Sequence, residues 1–134
     1  MRGLFIKFVM LCGCFFFLGC KTELGNNLES VDWLPEVATD INFSRTNGWF
    51  AYDCKMSEQD FLSWAKTENY YLNEIDSPQR ILLYRWITEP NNKEHSHTVD
   101  RGLYFHSVRN KGGGGFSVLH DRALNRMYYH YQVN

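Results

Sequence analysis

Several things are scarce in this chain of 134 residues. Proline occurs three times, and neither a repeat nor a heptad pattern is present, so repeat arrays and coiled coils are excluded. No charge of one sign dominates: 14 Lys and Arg stand against 15 Asp and Glu, a net charge of -1, which argues against a protein that coats nucleic acid. Cysteine is limited to four, and Cys12, Cys14 and Cys20 lie within the first twenty residues, so Cys54 has no thiol partner in the rest of the chain. A fold after Cys20 must therefore be held by its core. What is plentiful is aromatic and apolar. Hydrophobic residues make up 44%, aromatics 16% and charged residues 22%, a composition that folds as one ordinary domain and favours sheet.

The single long apolar run is at the front. Arg2 and Lys7 are followed by twelve uncharged, mostly apolar residues, Phe8 to Gly19. Crossing hydrocarbon takes about 20 such residues, so the run is short for a membrane helix and suits the apolar region of a secretory leader. It ends in Phe17-Leu18-Gly19-Cys20, which resembles the lipobox of bacterial lipoproteins, with Phe17 where that box usually carries leucine. The resemblance implies removal of residues 1–19, thioether lipidation of Cys20 and acylation of the new amino terminus. Several acyl chains, each gaining about 0.8 kcal/mol per buried CH₂, would anchor a soluble domain firmly. Cys14 is a competing cleavage point that would leave a shorter apolar core, and the run would also serve as an uncleaved anchor or a leader for ordinary secretion. Lys21 in place of an aspartate after the cysteine resembles, in Gram-negative lipoproteins, cargo released to the outer membrane. The expected location is thus the cell envelope.

Residues 20–30, polar and carrying Gly25-Asn26-Asn27, read as a flexible tether, with a single domain over residues 31–134. Asn47-Gly48 predicts a two-residue type I′ hairpin that sets Phe43 opposite Tyr52 and Ile41 opposite Cys54. Alternation then gathers Ile41, Phe43, Phe50, Tyr52, Cys54 and Met56 on one face. Ser57 and Asp60 form a capping-box pattern ahead of a helix over residues 58–68 that packs Phe61 and Trp64 on the sheet. Further strands are expected at Tyr70–Ile75, Ile81–Thr88 and Gly102–Arg109, with a polar loop over Glu89–Asp100 between the last two. A closing hairpin joins Phe116–Asp121 to Arg126–Val133. A type I turn at Ala123-Leu124 and a left-handed Asn125 would set His120 opposite Tyr128 and Val118 opposite His130. The fold class expected is α+β: an antiparallel sheet of five to seven strands with one short helix packed on one face. Such a helix spans about 16 Å and cannot cover both faces. The second face must curl, be covered by Val31–Asp40, or stay open with its tyrosines showing.

Candidate chemistry is thin. His95-Ser96-His97, with Glu94 or Asp100, has the spacing of a small Zn²⁺ or Cu²⁺ site, or is simply a pair of solvated loop histidines. His120 and His130 share a face in the expected register, with His106 on the neighbouring strand and Tyr128 beside them. This set would bind a ligand, or a metal, or act in acid–base chemistry. Cys54 points to the core and reads as a buried hydrophobe instead of a nucleophile. Gly112–Gly115 lacks the Lys-Ser/Thr of a phosphate loop and reads as a hairpin tip. No catalytic constellation and no cofactor motif is visible. Charge is divided: residues 20–100 carry a net -7 and residues 101–134 a net +4, so the halves either neutralise one another or offer Arg101, Arg109, Lys111, Arg122 and Arg126 to an acidic partner or anionic lipid.

Leu34-Pro35 with Ala38 and Ile41, the helix around Phe61, and the closing His120-Asp121-Arg122…Arg126-Met127-Tyr128-Tyr129-His130 together look similar to a group of small, functionally uncharacterised bacterial lipoproteins. The likeness spans most of residues 33–131 and carries over neither a catalytic residue nor a ligand. It implies an envelope location and a single domain. The expectation is a lipid-anchored envelope protein, a non-enzymatic module whose sheet binds an envelope protein or small ligand, with no cofactor and no nucleic acid. Competing with it are a small histidine-based or metal-dependent enzyme and an inhibitor or immunity-type lipoprotein.

Overall fold

A computed structural model describes residues 23–83, 95–108 and 114–133. The leader, Cys20, Glu94 and most of the glycine-rich tip lie outside them. The fold is mainly β with a single short helix. Elements in chain order are β1 (Glu23–Leu28), β2 (Thr39–Thr46), β3 (Trp49–Lys55), α1 (Glu58–Thr67), β4 (Asn73–Glu74), β5 (Gln79–Leu83), β6 (His95–Val99), β7 (Gly102–Val108), β8 (Gly115–Asp121) and β9 (Arg126–Gln132). Seven strands form one antiparallel sheet in the order β1-β2-β3-β9-β8-β7-β4, and β5 and β6 pair as a separate two-stranded ribbon. No helix among the described residues is long and apolar enough to cross a membrane.

The β2–β3 hairpin has the expected register from Asn42↔Asp53 to Thr46↔Trp49, including Phe43↔Tyr52. Its turn is not type I′. That type needs positive φ at both central residues, but here Gly48 has φ 108 and Asn47 is not among the positive-φ residues. Two loop residues suffice to keep the pairing. Ahead of Asn42 the register slips, and Asp40 takes a left-handed φ of 49 at that irregularity.

Helix α1 begins where the capping pattern puts it. The Asp60 backbone N–H donates to Ser57 Oγ at 3.1 Å, and the Ser57 hydroxyl donates to Asp60 Oδ2 at 2.6 Å. At the other end Asn69 turns left-handed (φ 59), its N–H bonds to the Lys66 carbonyl, and the Tyr70 N–H reaches back to Ala65. This double closure is a Schellman motif, and it delivers Tyr70 onto the sheet. Phe61 and Ala65 are buried, in keeping with an apolar stripe facing the core.

Four expectations change. The stretch read as a tether contains β1, paired to β2 through Glu23↔Arg45, Leu24↔Ser44 and Gly25↔Phe43. Gly25 makes this possible because a β-carbon there would collide with the Phe43 ring. The polar loop ending at Asp100 contains β6, in which His97 and Val99 alternate inward opposite Ile81 and Gln79. The strand expected at Tyr70–Ile75 shrinks to the two residues of β4. Finally, the β8–β9 register is shifted by one: His120 pairs with Met127, Val118 with Tyr129 and Ser117 with His130. Asn125 is left-handed as expected (φ 46), but Arg122 leaves the ladder to donate its N–H to the Arg101 carbonyl. Asp121 Oδ1 takes up the Ala123 and Leu124 N–H groups, so four residues form the loop instead of three. A one-residue slip sends every side chain of a strand to the opposite face.

The second face is not open throughout. Leu34 and Ala38 join the helix side, in one core with Ile41, Tyr52, Cys54, Phe61, Val118 and Met127. The opposite face is covered by the β5–β6 ribbon, where Ile81 and Val99 pack with Ile75, Leu119 and Tyr128.

Candidate functional site

The observed register decides which histidines can cooperate. On the ribbon side, one transverse row runs His106, Ser117, His130 and Ala51 across β7, β8, β9 and β3. A 2.8 Å hydrogen bond links Ser117 Oγ to His106 Nδ1. Burial pushes the pKa of both His106 and His130 below the ordinary 6.5, so both are held as neutral imidazoles.

His120 is not with them. It lies on the helix side, fully buried, its ring stacked 5.0 Å from Phe61. Its Nε2–H donates to the Met56 carbonyl at 2.9 Å, while Nδ1 is buried with no partner among the described residues. That imidazole ties the strand-to-helix junction to β8. The grouping of His106, His120 and His130 expected from sequence does not assemble, because the slip parts His120 from His130.

Tyr128 instead meets His97. Their rings stack at 4.6 Å, and His97 Nε2 lies 2.9 Å from Asp121 Oδ2, which pins the ribbon to the main sheet. His95 lies two residues earlier on the same strand, paired with Leu83. Among the described residues no group of three His, Cys, Asp or Glu is placed to hold a metal ion. Cys54 is fully buried, and desolvation pushes its thiol up to about 12, so it is no nucleophile at neutral pH.

Next to the histidine row is an ionic cluster. Arg126 Nε donates to Asp53 Oδ1 at 2.6 Å, and its other nitrogens reach the Asp40 carboxylate at 2.9 Å and the Asp40 carbonyl at 2.8 Å. Asn42 also donates to Asp53, and its own carbonyl oxygen accepts the Asn27 N–H. Arg122 forks between Glu58 and Glu74 at 2.6–2.8 Å. Two of the bases in the positive half thus neutralise acids of the negative half. All of these partners are consumed within the fold.

The helix side carries a different arrangement. Rings follow one another without a break: Trp33 against Phe43, Phe50 and Tyr52 at 4.8–5.8 Å, and Tyr52 stacked on Tyr129 at 4.7 Å. Tyr129 meets Phe116 at 5.8 Å, and Phe116 meets both Tyr70 and Phe105. Leu34 and α1 cover the part of this face nearest Met127. Toward the β2–β3 turn the rings of Phe43, Phe50, Phe116, Tyr129 and Tyr131 are only half-buried, and Trp33 is 42% exposed. A hollow of about 410 Å³ opens there between Arg45, Phe50, Tyr129 and Tyr131. Arg45 lies with its guanidinium carbon 5.4 Å from the Phe50 ring centre.

Sequence reasoning gathers Phe43, Phe50 and Tyr52 but misses Arg45, Tyr129 and Tyr131 as their neighbours. The signal for Arg45 is present, since it follows Phe43 by two in the same strand. Tyr129 and Tyr131 fall on the wrong side when the closing hairpin is read one residue out of register. No protein-family model, curated protein or solved structure matches this chain.

Proposed function

We propose that this is a lipid-anchored protein of the cell envelope, held through an acylated Cys20 after loss of residues 1–19, with a non-enzymatic binding module as its folded part. On this reading the α+β domain presents the uncovered end of its helix-side face to an envelope protein or small ligand. The observation that carries it is the unbroken run of aromatic rings that remains half-exposed beyond the cover of α1 and Leu34. Rings of this kind combine a large apolar contact with a polar edge at little conformational cost, which suits recognition. The anchor rests on the apolar run that stops at Cys20. For a Gram-negative host, Lys21 favours the outer membrane.

Two measurements test this. Mass spectrometry of the membrane fraction should find an acylated Cys20 as the amino terminus; an intact Met1 in the soluble fraction overturns the anchor. Envelope components retained by the wild-type protein should be lost with the double variant Arg45→Gln and Tyr131→Ala, with the fold retained by circular dichroism. Retention that ignores those substitutions overturns the choice of face. The histidine-based enzyme reading keeps His106, hydrogen-bonded to Ser117, as its support and is tested separately, by loss of any acid–base activity in His106→Ala.

A further inference from the structure

We propose that the hollow at the turn end of the helix-side face binds an acidic sugar, a saccharide ring that carries a carboxylate. This deepens the preceding reading and rests on its choice of face.

The hollow lies on the last row of that face, where Phe116, Tyr131, Phe50 and Arg45 sit side by side across β8, β9, β3 and β2. Its volume of about 410 Å³ falls within the roughly 300–1,000 Å³ usual for small-ligand sites. The rings of Phe50 and Tyr129 touch at 6.0 Å between centres, tilted by 57°, and with Tyr131 they form one apolar wall of the hollow. The outer side of such a wall can take a flat apolar face such as the C–H face of a sugar ring. Around it the lining includes Tyr131, whose phenol is of the kind that hydrogen-bonds to a polyhydroxylated ligand.

Charge selects among sugars. Arg45 is the charged residue of the lining, and no carboxylate lines the hollow. Among the described residues the Arg45 guanidinium makes no ion pair. Glu23 lies opposite it across the β1–β2 pair without bridging to it. Arg122 and Arg126, by contrast, are fully engaged with carboxylates. An exposed guanidinium, laid on an aromatic ring and not bridged to a carboxylate, is placed to take one in a two-pronged hydrogen bond. Rings for the sugar face, a phenol for its edge and one cation for its acid are the complement of a uronate.

The test titrates the full chain in detergent micelles with four probes: glucuronate, glucose, acetate and benzoate. Nuclear magnetic resonance signals of Phe50, Tyr129 and Tyr131, together with tryptophan fluorescence, give the readout. Glucuronate should shift these signals and saturate, with glucose and acetate at least about tenfold weaker, as expected when a charge-assisted pair or the ring contact is removed. Arg45→Gln should bring glucuronate down to the level of glucose, and Tyr131→Ala should abolish both, with melting temperature unchanged because neither side chain belongs to the buried core. Equal binding of glucose and glucuronate, tighter binding of benzoate or acetate, or indifference to Arg45→Gln each overturns the acidic-sugar assignment while leaving the face as a binding site. No response to any probe also overturns it. In that case the variant-dependent retention of envelope components judges the broader reading on its own.

Discussion

The two faces of the seven-stranded sheet are built from the same strands and held by different physics. On the helix side, Ile41, Cys54, Phe61, Val118 and Met127 are fully buried and cohere through apolar area and ring contacts. On the ribbon side, the buried apolar cluster among the described residues is Ile75, Ile81, Val99, Leu119 and Tyr128 with Leu83 and Tyr104 packed against it, and a large share of the remaining surface is given to Asp53, Arg126, Asn42, Asp121 and His97. Alternation alone separates the two sets, since Cys54 and Asp53 are neighbours in β3, and Met127 and Arg126 are neighbours in β9. One strand can therefore carry a forgiving apolar side and an exacting ionic side at once. Apolar packing degrades by degrees, whereas a buried charge that loses its partner is left uncompensated.

The largest expected effect is on the helix side. Phe61→Ala should cost about 4 kcal/mol, because it leaves a cavity under α1 and uncovers His120. Urea denaturation measures it, and a loss below about 1 kcal/mol would mean that α1 is not a structural part of this face. On the ribbon side Arg126→Met should cost about 3 kcal/mol, since Asp53, which is buried, and Asp40 then lose the guanidinium that bridges them. Adding Asp53→Asn should recover about half of that loss. A rescue of this kind has no counterpart for Phe61, and its absence would break the contrast between the faces.

Acid separates the ribbon side further. His106 and His130 have folded pKa values below the ordinary 6.5, so the unfolded chain takes up protons first as the pH falls. Their contribution is complete above pH 6.5 and declines below it, through the folded values. Melting temperature should therefore drop between about pH 7 and 5, and His130→Gln should flatten that slope. Glu58 and Glu74 are held below the ordinary 4.5 by hydrogen bonds from Arg122. Their stabilisation is present above pH 4.5 and disappears as the pH falls through the lowered values. It is small, because all three groups are open to solvent, and Arg122→Gln should remove it. The smallest effect is on thiol chemistry. In a chain with Cys12, Cys14 and Cys20 replaced by serine, Cys54 should resist a thiol reagent at about pH 8 until the protein unfolds.

How much of this can be read from the sequence depends on how locally each feature is encoded. The β2–β3 register follows from Asn47-Gly48 and two strands that alternate in phase, and α1 follows from Ser57, Asp60 and the spacing of Phe61 and Ala65. These signals lie within a few residues of the structure they specify. The losses are long-range. Strand β1 has little apolar character of its own and exists because β2 offers an edge, with Gly25 fitting beneath Phe43. In β6 the inward positions include His97, whose partners Asp121 and Tyr128 are more than twenty residues away, so a strand looks like a polar loop. The closing hairpin reads one residue out of register because Arg122 is drawn aside by Arg101, Glu58 and Glu74, all far from the turn. That single slip also decides the candidate site: it joins His120 to His130 in the sequence pattern and hides Tyr129 and Tyr131 from Arg45.

Strand β9 runs between β3 and β8, in the middle of the sheet, although it follows both of them in the chain. Until Gln132 has emerged, the amino-terminal strands and the β7–β8 pair are two half-sheets with raw edges and no shared core. Assembly must therefore wait for β9 and proceed through distant contacts, which makes it slow and leaves unpaired edges open to rescue by chaperones or to clumping. Truncating the chain after Asn125 should accordingly leave two half-sheets with raw edges in one aggregation-prone polypeptide, not a trimmed but working domain.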